Sequence, residues 1–376
     1  MSWLINMLKI LNSISNDYKE LFERALNIRK SEWGNTVTYS RKVFVPLTNM
    51  CRDTCSYCTF VKHPNSKLAK ILNPDEVMNI VDLGEKSGCK EVLLSLGEKP
   101  ELRYLKAKNE LNKLGFSSMT DYLVFICKLI LKNSSLLPHV NAGTLTKEEI
   151  NKLKPVTASM GMMLENTSRR LTKKGMPHYA CPDKVPIQRI RTMDNMGILK
   201  IPFTTGILVG IGETWQERIE TLQAIQNSHL QFGHIQEVIV QNFVPKQDIK
   251  MKFYPKPKHN DFLKTIALAR LILSPDISIQ APPNLSLEHP EYLKVGLNDW
   301  GGISPITKDF INPENKWPII KDLNNASKLM GYSLKERLTV YPKFQNEKDG
   351  FLHQHIRTKM ELLSCDNGLA KEQYIQ

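Results

Sequence analysis

The sequence predicts an α/β fold, a TIM-type (β/α)8 barrel, closed or partly open, with helical extensions at both ends. Three observations carry this. Short apolar runs alternate with segments of helical period along most of the chain. The runs are continuously apolar, as strands of a parallel sheet covered on both faces by helices must be. The unit recurs seven or eight times, which favours a barrel over a doubly wound open sheet.

Taken in order, "KVFVPLTN" (42–49) reads as the first strand. Asn73 caps a helix that opens with Pro74 and ends at Gly88. "KEVLLSLG" (90–97) is the second strand, followed by a helix over 120–133. "LLPHVNAG" (136–143) is the third, and Thr146 with Glu149 forms a capping box after it. "VTASMGMML" (156–164) is the fourth, with a helix over 187–197 ended by Gly197. "FTTGILVGIG" (203–212) and "EVIVQNFV" (237–244) are the fifth and sixth, separated by the helix "WQERIETLQAIQ". A helix at 259–274 and the strand "ISIQA" (277–281) make a seventh unit, and "YLKVGLNDWGG" supplies an eighth. The barrel then spans 36–311, with extensions at 1–35 and 312–376 packed on it.

A chain of 376 residues can bury such a core. Leu4, Met7, Leu8, Leu11 and Ile14 give the N-terminus helical spacing, which Asn6, Lys9 and Asn12 interrupt. It reads as an amphipathic helix rather than a signal peptide. No apolar run reaches the length of a membrane span. Cys89, Cys127, Cys181 and Cys365 are scattered and form no disulfide framework, so a reducing cytoplasm is expected. The net charge is +13, and five lysines crowd between Lys246 and Lys258. They lie in a Pro-containing loop rather than a basic helix, so a solvated surface is expected and not a nucleic-acid site.

Barrel enzymes work at the C-terminal ends of their strands. After the first strand come Cys51, Cys55 and Cys58, spaced C-x3-C-x2-C. Two readings fit. With His63 as a fourth ligand the set suits a structural zinc. Without it, three thiolates suit an iron–sulfur cluster with one iron left open to another ligand.

The motif, with Tyr57 before its last cysteine, resembles the radical S-adenosylmethionine (SAM) superfamily. The resemblance implies a 4Fe–4S cluster on Cys51, Cys55 and Cys58, with the amino and carboxylate groups of SAM on the fourth iron and a 5′-deoxyadenosyl radical as product. Gly97-Glu98 is similar to the superfamily's Gly-Gly-Glu turn for the SAM ammonium, with Leu96 replacing its first glycine. In "SMGMMLENTS" the resemblance implies SAM contacts at Ser159 and Glu165. Arg189 or Arg191 would bind the SAM carboxylate, with Arg189 preferred. Gly206, Gly210 and Glu213 resemble the superfamily's G-x-I-x-G-x-x-E stretch, which implies a strand backbone that pairs with the adenine.

"HVNAGTLT", "QNFVPK", "QAPPNLS", "GLNDWGGISPIT" and "LTVYP" narrow this to a resemblance with the first subunit of FO synthase, over about residues 38–342. That implies a carbon–nitrogen lyase of coenzyme F420 biosynthesis. A separate second subunit would join tyrosine to 5-amino-6-ribitylamino-uracil. This subunit would close the adduct, 5-amino-5-(4-hydroxybenzyl)-6-(ribitylimino)-dihydrouracil, into the deazaflavin with loss of ammonia. A neutral, polar, aromatic substrate calls for neutral hydrogen-bonding groups lining the barrel mouth. His139, Asn141, Asn242 and Trp300 are candidates, with Asp299 as proton acceptor and His139 as a second catalytic group. The rivals are another enzyme of the same branch (the partner FO subunit, a futalosine-pathway enzyme or a biotin-synthase-like sulfur inserter) and a metal-containing nucleic-acid-binding protein.

Overall fold

The structure is a computed structural model and describes residues 18–372. The helix expected over 4–14 lies outside the described residues.

Helix α1 (Tyr18–Trp33) leads into β1 (Thr36–Thr48). Then follow α2 (Pro74–Lys86), β2 (Glu91–Leu96), α3 (Leu105–Lys113), α4 (Met119–Asn133) and β3 (Leu137–Asn141). The next units are α5 (Lys147–Leu153), β4 (Ser159–Gly161), α6 (Pro186–Ile198), β5 (Phe203–Val209) and α7 (Trp215–Phe232). The barrel ends with β6 (Ile235–Asn242), α8 (His259–Ile272), β7 (Ser278–Gln280) and β8 (Asp299–Ile303). Beyond it lie α9 (Ile320–Leu329), β9 (Ser333–Glu336) and α10 (Gln354–Leu363).

Local chemistry sets the helix starts. The Asn73 side chain accepts the Glu76 N–H at 2.9 Å, and Glu76 accepts the Asn73 N–H at 2.8 Å. Thr146 with Glu149, and Thr214 with Glu217, form the same reciprocal box. Gly233, at φ +64°, ends α7.

The strands are all parallel. They run β2-β3-β4-β5-β6-β7-β8-β1, and β1 also pairs with β2, so the eight-stranded barrel is closed. Its thinnest ladder is β7–β8, with the single register pair Gln280–Asp299. Along β1, Val43, Val45 and Leu47 are fully buried among the apolar side chains of the core, and Val43 meets Gly84 of α2. Lys42 and Phe44 face the lumen instead, as the period of two requires.

Two strands differ from expectation. β1 starts at Thr36, earlier than 42. Thr38 and Ser40 break the apolar run because their hydroxyls reach Asp299 and Glu91 at the base of the lumen. β4 stops at Gly161, earlier than 164, because the chain turns out of the sheet toward Glu165, which sits at φ +65°.

After the barrel, β9 pairs with the start of β1, Thr36–Ser333 through Tyr39–Glu336. Residues 337–341 then cross the base of the barrel. The Arg337 N–H donates to Tyr39 O (2.8 Å), and Gln236 Nε2 to Thr339 O (2.9 Å). Leu338, Val340 and Tyr341 are buried there. No helix among the described residues is long and apolar enough to cross a membrane.

Candidate active site

A cavity of about 390 Å³ runs down the lumen from the loop after β1. That is within the range of small-molecule sites. Cys51, Cys55, Tyr57 and Cys58 line its upper end, with Gly97 and Glu98 from the end of β2.

The cysteine loop is tied to several elements. The Gly97 N–H donates to Thr48 O (2.8 Å), and the Arg52 N–H to Glu98 O (2.9 Å). A Cβ on Gly97 would collide with the Met50 carbonyl, so only glycine allows this approach. Cys51 Sγ accepts two backbone N–H groups, from Asp53 (3.3 Å) and Glu98 (3.2 Å). Burial and then the Asp53 carboxylate push its thiol up to about 12. A thiolate there becomes stable when a metal replaces the proton.

Among the described residues, the trio of metal-binding types whose ligand atoms lie within 4.8 Å of one another is Asp53, Glu98 and Asp183, not the cysteines. Thiolates on one zinc would be crowded closer than that, at Zn–S of about 2.3 Å. His63 is exposed, and its Nδ1 accepts the Asn65 N–H. The wider thiol spacing and the N–H donors on sulfur suit a multi-iron cluster.

Beside the thiols lies a dense charge network. Glu98 accepts the Thr144 N–H (2.5 Å) and hydroxyl, and faces Arg189 at 3.6 Å. Lys184 pairs with Glu165 at 2.7 Å. Burial opposes the Arg189 charge, but Glu98 and Glu165 outweigh it and hold the guanidinium above its ordinary value. Burial likewise opposes the Glu165 carboxylate, but Lys184 and Arg189 hold it below its ordinary value. Asp53 Oδ2 is buried without a hydrogen bond.

The radical SAM superfamily profile matches residues 45–225, the segment that builds this end of the cavity. The chain is 48% identical to the 7,8-didemethyl-8-hydroxy-5-deazariboflavin synthase of Methanopyrus kandleri, over 89% of this chain and 100% of that protein. The chain belongs to the FO synthase family of radical SAM enzymes. The FO synthase of Nocardia farcinica is 43% identical over 96% of this chain, but the match spans only 43% of that longer protein. Among solved structures, methylornithine synthase superposes with a TM-score of 0.65 at 19% identity, over 86% of this chain and 92% of that one, a likeness of fold.

Membership of the radical SAM family implies a 4Fe–4S cluster and SAM. The residues fit them. Three cysteines share one cavity end, carboxylates stand ready for an ammonium, and Arg189 and Lys184 for a carboxylate. Tyr57 closes the loop, with its hydroxyl 3.1 Å from His178 Nε2.

Other expected residues of this family member lie elsewhere. Gly206 faces the Met163 side chain and Ile239 O, and its carbonyl accepts the Glu165 N–H (3.0 Å). Gly210, at φ +97°, packs on Pro257. Glu213 accepts the Gly210 and Ile211 N–H groups and Arg218 Nε, so it braces its own loop. None of these three lines the cavity. Ser159 also sits outside it, its Oγ between His139 Nδ1 (2.7 Å) and Thr339 Oγ1 (2.6 Å).

Asp299 is placed at the base, not as a substrate base. Its oxygens take Arg337 Nε (2.7 Å) and Nη2 (3.0 Å), the Thr38 hydroxyl and the Gly301 N–H. Trp300, next along β8, points the opposite way and donates to Ser327 Oγ of α9 at 3.3 Å. His139, Asn141 and Asn242 do line the cavity. So do residues that sequence reasoning missed, among them Asp53, Lys184 and Trp317. Asp53 lies inside the cysteine motif and could have been flagged. Lys184 and Trp317 carry no local signal.

Proposed function

We propose that the chain is the ring-closing half of FO synthase. It takes the tyrosine–ribitylaminouracil adduct and gives the deazaflavin with loss of ammonia. A separate chain makes the adduct. The carrying observation is the match to the whole of the Methanopyrus kandleri deazariboflavin synthase but to under half of the Nocardia farcinica FO synthase. The described residues hold one barrel, and the part of the longer relative outside the match is where an adduct-forming activity would lie.

When bound, the cluster and SAM supply a carbon-centred radical that removes a substrate hydrogen. The residues of this chain do the rest. Cys51, Cys55 and Cys58 would hold three irons. Glu98, with Asp53 beside it, would receive the SAM ammonium, and Arg189 its carboxylate. Phe44 and Trp317, stacked at 5.3 Å and 4° between planes, give a flat wall for an aromatic ring. The closed lumen keeps water from the reacting carbon. His139 is neutral at pH 7, because burial brings its imidazole down to about 4, so its Nε2 would meet the substrate as a neutral hydrogen-bonding group and not as a charge.

An anaerobic assay tests this. Reconstituted protein, SAM, dithionite and the adduct should give deazaflavin fluorescence together with 5′-deoxyadenosine. Deoxyadenosine with no deazaflavin would keep the radical chemistry and remove this substrate.

A further inference from the structure

Below the cysteines, the side chains that line the lumen fall into three groups. Ser95, Asn141 and Gln241 are neutral and polar. Phe44, Leu93 and Ile239 form an apolar belt, interrupted by His139, which pairs in register with Leu93, and Gln280, which pairs with Ile239. Lys42, Glu91, Thr204, Glu237 and Arg337 form a polar floor, where Arg337 also meets Asp299 at the barrel base.

The floor and belt carry a built set of polar groups. Lys42 Nζ is 2.7 Å from Glu91 Oε1. Arg337 Nη2 is 2.8 Å from Glu237 Oε1, and Thr204 Oγ1 donates to Glu237 Oε2 at 3.0 Å. Gln280 is 7% exposed and lines the cavity, yet its amide bonds to no group among the described residues. Its donor and acceptor therefore face the open cavity and are available to a bound polar group. His139 Nδ1 is held by Ser159 and Thr339, which leaves Nε2 free for the cavity. The glycines after Trp300 make the room. A Cβ on Gly301 would collide with the Gln280 amide, and one on Gly302 with the Lys42 side chain.

We propose that the lower lumen recognises the polyol tail of the substrate, read by Gln280, His139 Nε2 and the Lys42–Glu91 pair, with the flat ring in the apolar belt above. This rests on the ring-closing reading. A polyol offers a donor and an acceptor at each hydroxyl, and this wall supplies both kinds. A lone phenol hydroxyl would leave most of them unpaired. A phosphate does not fit either, because Glu91, Glu237 and Asp299 already match Lys42 and Arg337.

Binding of the deazaflavin is compared with that of its analogue carrying methyl for ribityl, by fluorescence. The wild type should prefer the ribityl form by about tenfold, and Gln280→Met should reduce the preference to within about twofold. Thr204→Val, on another strand, should reduce it by a smaller factor. A wild type without preference, including one that binds neither compound, overturns the proposal, as does an undiminished preference in both variants. Turnover of the adduct separates the two readings. A polyol preference without turnover removes the ring-closing role and keeps the subsite. Normal turnover with indifference to the tail removes the subsite alone.

Discussion

The two ends of the lumen are built on different terms. At the mouth, Cys51, Cys55 and Cys58 lie in one short loop, and the chain fixes their spacing directly. In the lower lumen, Lys42, Glu91, Glu237, Gln280 and Arg337 come from five separate segments. Their meeting depends on strand register and on a C-terminal segment that crosses the base. The superfamily profile over residues 45–225 covers the cysteine loop, whereas Lys42, Glu237, Gln280 and Arg337 lie outside it.

The largest expected effect is at the mouth. Cys55→Ala should lose iron and abolish deoxyadenosine formation, at least about 10³-fold, while the fold survives because the thiol is peripheral to the core. Iron analysis beside circular dichroism checks both halves. Full iron content in this variant would break the assignment of the loop as ligand.

At the floor the first effect is on stability. Arg337→Met strands the buried carboxylates of Asp299 and Glu237 and should cost about 3–5 kcal/mol in denaturant titration. Were Asp299 instead a substrate base, its Asn variant would lose turnover with little loss of stability. The placement seen here gives the opposite order.

Acid should act on the lower lumen in two windows. Burial lowers the His139 imidazole to about 4, so from pH 6.5 down to 4 the unfolded chain binds a proton that the fold refuses. Stability is full above that window and falls within it, by about 3 kcal/mol at most. Burial also works against the Glu91 carboxylate, but Lys42, His139 and Arg337 together outweigh it and hold the group at about 2. That contribution is present above 4.5 and lost as pH falls toward 2. Chemical denaturation at stepped pH should show the upper loss disappear in His139→Gln.

Gly301→Ala should cost about 1–3 kcal/mol, since φ is +72° and the new methyl meets Gln280. Pairing it with Gln280→Ala should recover the steric part alone, and simple additivity would show that the two side chains do not compete for space. The smallest effect is local. Thr214→Ala removes the cap of α7 and should cost about 1 kcal/mol, read as a shift in denaturant midpoint without change of activity.

By itself the sequence determined the barrel, its helix caps and the cluster loop. Apolar period, Asn73, Thr146 and Thr214, and the cysteine spacing all act over a few residues, so they are visible in one dimension. It also brought forward "QAPPNLS" and "DWGG" as distinctive without saying why. Tertiary structure decided the rest. It hid the start of β1, where Thr38 and Ser40 look polar because their partners are distant carboxylates. It turned Asp299 onto Arg337 and Trp300 onto α9, since alternate side chains of a strand face opposite ways and only register tells which faces the lumen. It gave Gly301 and Gly302 their purpose, which is the space taken by Gln280 and Lys42. Contacts across a closed sheet join residues far apart in the chain, and no local pattern records them.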